Sequence, residues 1–523
     1  MIAPEAPAGR TSRRALVTIT LALAAIAIVI FRPWVSRPFD TLDFSEFLPF
    51  LRRPGGPFTH LSGMLGYYVG EQGRLNVLSY AALVAKWELF GDHTAWWRWM
   101  RVAELMVIVG GVYALARRLG ASSFGAVAGA SLFVCSRLSG EAWTRLTMGE
   151  PLGIGLMLWA MLLACGWRAD PSPRRGAQIA LLVVGGILAK ETVAGLAPLV
   201  WIIAATRDDS GRLGDLLPRR EMLRPLLWIG IPTVLTFGAA AVVALNARGE
   251  GFSTLYGSTH PSVATFVASW QRPWQIQGLQ DAPGSWALPA NTLLALLSIG
   301  GVIAAARRSP ADRRHALWVT GCAIALGAIY ALLYLPWPFL SLYYAMPFLL
   351  GPALLLAVAL TALEGRSTLT GQVGRVGWAL MVASALTSTE RATHGAIAVE
   401  AVNGELVQAL ATYRGADSII VARSQAPLFA WLGTAPRLRR HLLATGLADS
   451  MPPMVDRLCR ESADLLRRRP PGVVIVSYWH WCGPIPDHTT RSLRADRYIA
   501  VTWRHIEAGV DTFGVDLLAT LPR

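Results

Sequence analysis

Three acidic side chains follow one another closely early in the chain, at Asp40, Asp43 and Glu46. They stand among apolar residues and come soon after a long apolar block. A carboxylate held against apolar walls has a raised tendency to take a proton, which suits a general base. We therefore predict Asp43 as a catalytic base, with Asp40 as the second candidate. Ordinary acids in a solvated loop are the alternative interpretation.

Other polar residues in the first third of the chain are candidates for the lining of a cavity beside that base. Glu46 and His60 belong to the same polar stretch, and Arg145 and Glu150 form a second cluster. Glu150 precedes Pro151, which is favoured in the first turn of a helix. A carboxylate is also favoured at a helix N-terminus. The cluster therefore fits either a cavity wall or a simple helix cap.

Lys190 and Glu191 stand between two short apolar blocks, and Lys190 is one of only two lysines in the chain, with Lys86. Charged residues at membrane depth are costly and often functional. A lysine there can neutralise a phosphate, and Glu191 is a further candidate for the lining of the cavity. A Lys-Glu pair at a tight turn is the alternative. Tyr344 lies in a stretch rich in proline and aromatic residues, 335–347. That stretch indicates a broken start to a span that lines a cavity, or an aromatic belt at the membrane interface.

Membrane spans are the elements that must position these residues. The chain has 523 residues, is 53% hydrophobic and 15% charged, and has a mean hydropathy of +0.42. Its apolar residues come in blocks, several of them near the roughly 20 residues that cross a bilayer as a helix. We predict an all-α polytopic membrane protein with about eleven transmembrane helices. The predicted spans are Ala15–Phe31, Val102–Ala116, Phe124–Cys135, Pro151–Trp167, Gln178–Ala189, Val193–Ala205, Leu226–Leu245, Thr292–Ala306, Leu317–Leu335, Ala345–Leu363 and Gly377–Thr387.

The net charge of +15 does not indicate nucleic acid, because the arginines stand in short loops between apolar blocks. Every second loop is Arg-rich, which is the positive-inside pattern. The pattern predicts a multi-pass protein of the inner (plasma) membrane with a cytoplasmic N-terminus. The first outer loop, 33–100, and the Lys190–Glu191 turn then lie outside the cytoplasm.

The tail has a different character from the rest of the chain. We predict a transmembrane domain over 1–390 and a small extracytoplasmic α/β domain over 391–523. Two cysteines in that tail, Cys459 and Cys482, could pair in an oxidising compartment, and their spacing does not decide it. The predicted elements are strands at Ser418–Ala422 and Gly472–Ser477 and a helix at Pro452–Arg469.

Several stretches, taken in order, resemble the C-type fold of integral-membrane glycosyltransferases, which includes protein O-mannosyltransferases and aminoarabinose transferases. The likeness extends from about Ala15 to Leu363 and includes the second-span region. The motifs that carry it are the acidic stretch Asp40 to Glu46 after the first span, Glu150-Pro151-Leu152, Leu188-Ala189-Lys190-Glu191-Thr192 and Tyr343-Tyr344-Ala345-Met346-Pro347.

The resemblance implies an inverting transfer of a hexose or pentose from a polyprenyl-phosphate donor. The acceptor would be a glycan, lipid or protein outside the cytoplasm, and the enzyme would contact membrane lipid. Asp43 or Asp40 would take the proton of the acceptor hydroxyl, and Lys190, Arg145 and Tyr344 would contact the donor phosphate. No cofactor is implied with certainty. A divalent metal is compatible with the reaction, although the sequence contains no dedicated ligand cage.

Three other functions compete with this one. An O-antigen ligase or polymerase is expected to have its long basic outer loop late in the chain. A transporter tends to show repeated halves, and this sequence has no repeat. An inactive membrane scaffold is the third. The sequence lacks a Walker P-loop, which argues against an ATP-driven pump of the usual kind, and it also lacks a G-x-S-x-G elbow and an H-E-x-x-H pair.

Overall fold

The computed structural model describes residues 50–136, 145–206, 219–246, 287–333, 342–365 and 367–386, the single residues Phe47, Ser139, Ala142 and Leu213, and five strands of the tail. Several predictions fall outside the described residues. They concern the span Ala15–Phe31, the acids Asp40, Asp43 and Glu46, the helix Pro452–Arg469, and the cysteines Cys459 and Cys482.

The described part of the chain is mostly helical. In chain order its helices are α1 (Pro57–Leu65), a π-helical turn (Gly66–Glu71), α2 (Val77–Phe90), α3 (Thr94–Arg118), α4 (Ser123–Cys135), α5 (Glu150–Ala164), α6 (Pro173–Ala189), a 3₁₀ helix (Glu191–Leu196), α7 (Ala197–Thr206), α8 (Arg219–Leu245), α9 (Ala287–Ala306), α10 (Pro310–Leu333), a second 3₁₀ helix (Leu342–Leu349), α11 (Leu350–Glu364) and α12 (368–386).

Among the described residues, four helices are long and apolar enough to cross a membrane. They are Thr94–Arg118, Glu221–Leu245, Pro310–Leu333 and Met346–Glu364. Shorter apolar helices accompany them, among them α4 and α5. Length and composition therefore support a helical membrane protein, and the total of about eleven spans stays a prediction.

The membrane part is held together by helices that approach closely at small residues. Gly125 and Gly129 on α4 face α11, where an added Cβ would come within 2.4 Å of the carbonyl oxygens of Ala357 and Ala353. Small residues allow this approach, and packing rather than hydrophobic transfer drives helix association in lipid. At one end of the same crossing, Glu364 accepts a hydrogen bond from Ser122 (2.5 Å) and pairs with Arg375 on α12 (2.9 Å).

The segment before α3 folds against it as a second, smaller core. Its buried members include Met64 of α1, Tyr68 of the π-turn, Tyr80 of α2 and Trp97 of α3. The sequence indicates Trp96, Trp97 and Trp99 as markers of the membrane boundary. Trp96 and Trp99 are exposed, but Trp97 is 1% exposed, and its indole N–H donates to the carbonyl of Gly91. The segment that precedes α3 is thus anchored to α3 by a buried tryptophan.

The described strands of the tail form one mixed sheet. The strands are β1 (Ser418–Ala422), β2 (Leu442–Thr445), β3 (Val473–Ser477), β4 (His488–Asp496) and β5 (Thr512–Thr520), in the order β2-β1-β3-β5-β4. β1 is parallel to β2 and β3, whereas β5 is antiparallel to β3 and β4. Two strands coincide with the stretches predicted from sequence. The α/β domain as a whole stays a prediction.

Candidate functional site

The candidate site begins where the backbone leaves α6. The helix ends at Ala189, and Lys190 is extended, with φ −159° and ψ 118°. Its N–H still donates to the carbonyl of Gly186, and its own carbonyl accepts from Val193 in the 3₁₀ helix that follows. The sequence predicts a break between two short apolar blocks at this point, and Lys190 lies in that break.

Lys190 lies close to three other predicted site residues, which are Glu150, the adjacent Glu191 and Tyr344. Its Nζ lies 3.5 Å from Oε1 of Glu150 and 3.9 Å from Oε1 of Glu191. The same atom lies 4.9 Å from the centroid of the Tyr344 ring, within the range of a cation–π contact. Glu150 is 0% exposed and Lys190 is 6% exposed. The break between α6 and the 3₁₀ helix, the start of α5 and the second 3₁₀ helix therefore converge on one buried cation.

The environment keeps this lysine charged. Burial by itself would lower the pKa of Lys190, but the carboxylates of Glu150 and Glu191 outweigh burial and raise the pKa above its ordinary value. The guanidinium of Arg74 acts in the opposite direction to the carboxylates. Because the pKa of Lys190 is raised, the ammonium is protonated near neutral pH, and the stability that its charge contributes is lost as the pH rises through that raised pKa.

The site also contains buried oxygen atoms that accept no hydrogen bond from the described residues. Within the described part of the chain, neither carboxylate oxygen of Glu150, nor Oε2 of Glu191, nor Oγ1 of Thr192 has a hydrogen-bond partner. Leaving a buried polar group without a partner costs about 1–3 kcal/mol. Such atoms in a native protein indicate a place for water or a ligand.

The backbones that carry Glu150 and Lys190 touch each other through α2. Ser79 on α2 donates to the carbonyl of Ala189 over 2.6 Å. A Cβ on Gly149 would lie 2.2 Å from Oγ of Ser79 and 2.3 Å from that same carbonyl oxygen. Only a residue without a side chain fits there. Gly149 therefore sets the distance between the start of α5 and the end of α6.

Replacing Gly149 by alanine should lower the free energy of unfolding by about 1–3 kcal/mol, because the new methyl group overpacks against a backbone carbonyl. A denaturant titration in detergent micelles measures it. Gly155→Ala is the matched control, since no atom lies within 4 Å of a Cβ built there and alanine is the better helix former by about 1 kcal/mol. Equal stability of the two variants would contradict the close contact at Gly149.

Residues that the sequence does not single out also position the site. Tyr330 on α10 donates its hydroxyl to the carbonyl of Thr192 over 3.1 Å, and its ring packs where a Cβ on Gly195 would be. Ser79 and Tyr330 act on backbone carbonyls, so no spacing of residue types announces them. One feature of the sequence does indicate Tyr330, because its side chain carries a hydroxyl group within a predicted apolar span.

The remaining predicted residues have a different placement. The ring nitrogens of His60 lie 3.0 Å from a carboxylate oxygen of Glu88 and 3.0 Å from the carbonyl oxygen of Arg53. The contact with Glu88 ties α1 to α2, and the contact with Arg53 ties α1 to the residues before it. Arg145 is buried at 8% exposure, shortly before α5. The cavity role of His60 and the phosphate role of Arg145 stay predictions. In the described ranges, no three His, Cys, Asp or Glu side chains are placed to hold a metal ion.

No protein-family model matches the chain, and no curated protein matches its sequence. Eleven chains among solved structures match its fold. One is the crystal structure of ArnT from Cupriavidus metallidurans bound to undecaprenyl phosphate. It is 14% identical, with 95% of this chain and 97% of that chain covered and a TM-score of 0.48. At that identity and score, the similarity assigns no residue and no activity to this chain.

Proposed function

We propose that this protein is a membrane glycosyltransferase that moves a sugar from a polyprenyl-phosphate donor to an acceptor outside the cytoplasm. The observation that carries the proposal is the buried ammonium of Lys190, a cation that can pair with a phosphate and that lies 3.5 Å from Oε1 of Glu150. A permanent buried charge costs free energy. A buried charge in an apolar region, where two predicted outer segments meet, therefore indicates a function. Binding the anionic phosphate of a lipid is such a function.

The geometry leaves the ammonium able to donate to a phosphate. Its distances of 3.5 and 3.9 Å to Glu150 and Glu191 exceed the roughly 2.7–2.9 Å of a charge-assisted hydrogen bond. The carboxylates therefore hold the charge in place without occupying the donor hydrogens closely. The ring of Tyr344 supplies a further attraction to the cation.

In the proposed reaction, the acceptor hydroxyl attacks the anomeric carbon and forms the new glycosidic bond. Its proton goes to Asp43, or to Asp40 as the second candidate. The bond between the anomeric carbon and the phosphate oxygen breaks, and polyprenyl phosphate leaves with the electron pair. Lys190 stabilises the negative charge that gathers on this leaving group. The configuration at the anomeric carbon inverts.

The surroundings of the reaction follow from the topology predicted by the sequence. The N-terminus lies in the cytoplasm, and the reaction takes place at the outer face of the inner membrane. The domain at 391–523 lies outside the cytoplasm. Hexosyl and pentosyl transfer both fit this arrangement, and glycans, lipids and proteins are all acceptors with suitable hydroxyl groups.

The proposal is tested with purified protein in detergent and a panel of radiolabelled polyprenyl-phosphate sugars, to which membrane extract is added as a source of acceptor. The expected result is release of labelled sugar from the lipid by the wild type, and a loss of release in Lys190→Ala. Wild-type protein that turns over no donor with acceptor extract present would argue against the function. Equal release by both proteins would reject the site at Lys190.

A further inference from the structure

A second cluster of buried charges joins α2 to α3, away from Lys190. The carboxylate of Glu104, on α3, bonds through one oxygen to Nζ of Lys86 on α2. Its other oxygen accepts from Nη1 of Arg101 over 2.6 Å. The side chains of Lys86, Arg101 and Glu104 are 12%, 3% and 15% exposed. One carboxylate thus bridges two cations at low exposure, and Glu104 is the only acid on α3.

The second cation of the cluster has a further partner in the backbone. Nη2 of Arg101 donates to the carbonyl of Leu146 over 2.7 Å and to the carbonyl of Met148 over 3.2 Å. These residues belong to the loop that leads through Gly149 into α5, whose first residue is Glu150. The planar guanidinium can serve a carboxylate and a backbone at once because its donors form a rigid fork. Arg101 therefore holds the loop from which Glu150 reaches Lys190.

We infer that Lys86, Glu104 and Arg101 form a positioning unit, which keeps the carboxylate of Glu150 against Lys190 by fixing the loop 145–149. Its effect on catalysis rests on the proposed function, since it acts through Glu150, whereas its effect on the loop does not. The same helix α2 fixes the other side, because Ser79 holds the carbonyl before Lys190. Contacts from the single helix α2 thus position both members of the ion pair, Glu150 and Lys190.

The first test is amide hydrogen exchange of the full-length protein in detergent, which needs no substrate. In Arg101→Lys, exchange in peptides that cover 145–149 should be faster by about tenfold or more, because the loop opens more often. Exchange in α4 should not change. Lys86→Arg should behave like the wild type, since an arginine keeps a donor for Glu104. Unchanged exchange at 145–149, or an equal increase along the whole chain, would overturn the inference.

Glu364→Gln is a matched control for Glu104→Gln. Glu364 also bridges two helices, through Ser122 and Arg375, but has no part in the loop before Glu150. Glu104→Gln should speed exchange at 145–149, and Glu364→Gln should leave it as in the wild type. The same increase in both variants would mean that any broken helix bridge loosens the loop.

A double-mutant cycle on kcat, measured with a donor that the wild type uses, tests whether the positioning unit acts through Glu150. Arg101→Lys should lower kcat by about tenfold, and this loss should disappear when Glu150 is already replaced by glutamine. An equal loss in both backgrounds would show that Arg101 acts independently of Glu150. Absence of turnover in the wild type counts against the proposed function, and the exchange result then decides the positioning unit separately.

Discussion

Replacing Lys190 by methionine is expected to lower the free energy of unfolding by about 3–5 kcal/mol, because it leaves a buried carboxylate without its partner. Glu150 is 0% exposed and lies 3.5 Å from the ammonium. Methionine fills a similar volume, so the loss reports the charge rather than a cavity. The measurement is a denaturant titration of the purified variant in detergent micelles.

Glu150→Gln introduced with Lys190→Met is the control that separates charge from packing. The double variant should recover most of the lost stability, because a neutral amide no longer needs the cation. Its transferase activity should stay absent, since the phosphate contact is still missing. A double variant as unstable as Lys190→Met alone would show that the ion pair is not what the lysine contributes.

Asp43→Asn is expected to reduce sugar transfer by about 10²–10⁴-fold, which is the usual contribution of a general base. The asparagine keeps the size and polarity of the side chain but cannot accept the proton of the acceptor hydroxyl. Asp40→Asn should have the smaller effect of the two. Initial rates with the donor and acceptor found in the transfer assay measure both.

Asp92→Asn is the matched control in the same predicted outer loop, 33–100. Asp92 is an exposed acid that pairs with Arg52 over 2.6 Å, and exposed pairs contribute about 0–1 kcal/mol. Its replacement should leave the transfer rate within about twofold. A larger loss in Asp40→Asn than in Asp43→Asn would exchange their roles. Full activity in both would place the base elsewhere.

The residues of the site could be predicted from sequence where a charge stands in apolar surroundings. Lys190 is one of two lysines and interrupts an apolar region, so its type and position both indicate function. Glu150 and Tyr344 follow from motifs and from the predicted parity of the spans. That parity puts the loop before Glu150 and the Lys190 turn on one side of the membrane.

The contact itself could not be predicted, because it depends on how two helices cross. Gly153 on α5 allows that crossing: a Cβ there would lie 3.0 Å from the carbonyl oxygen of Gly186 on α6 and 2.9 Å from a methyl group of Val193. Nothing in the spacing of the glycines says which helices they bring together. Sequence separation gives no distance between helices, so only the packed structure places Glu150 against Lys190.

Residues that act on the backbone are the second class that sequence reasoning misses. Arg101 and Ser79 fix carbonyl oxygens, and any residue type can supply a carbonyl. Arg101 and Glu104 carry one signal in hindsight, since they are ionisable residues inside the long apolar helix Thr94–Arg118. The principle that such residues are functional applies to them as much as to Lys190.

The central claim is that Lys190 binds the phosphate of a polyprenyl carrier, and ligand-induced stabilisation tests it most directly. Undecaprenyl phosphate should raise the Tm of the wild type through mass action, and undecaprenol, which lacks the phosphate, should not. Lys190→Met combined with Glu150→Gln, folded but without the cation, should show no rise with either lipid. An equal rise in the wild type and the double variant would contradict the claim.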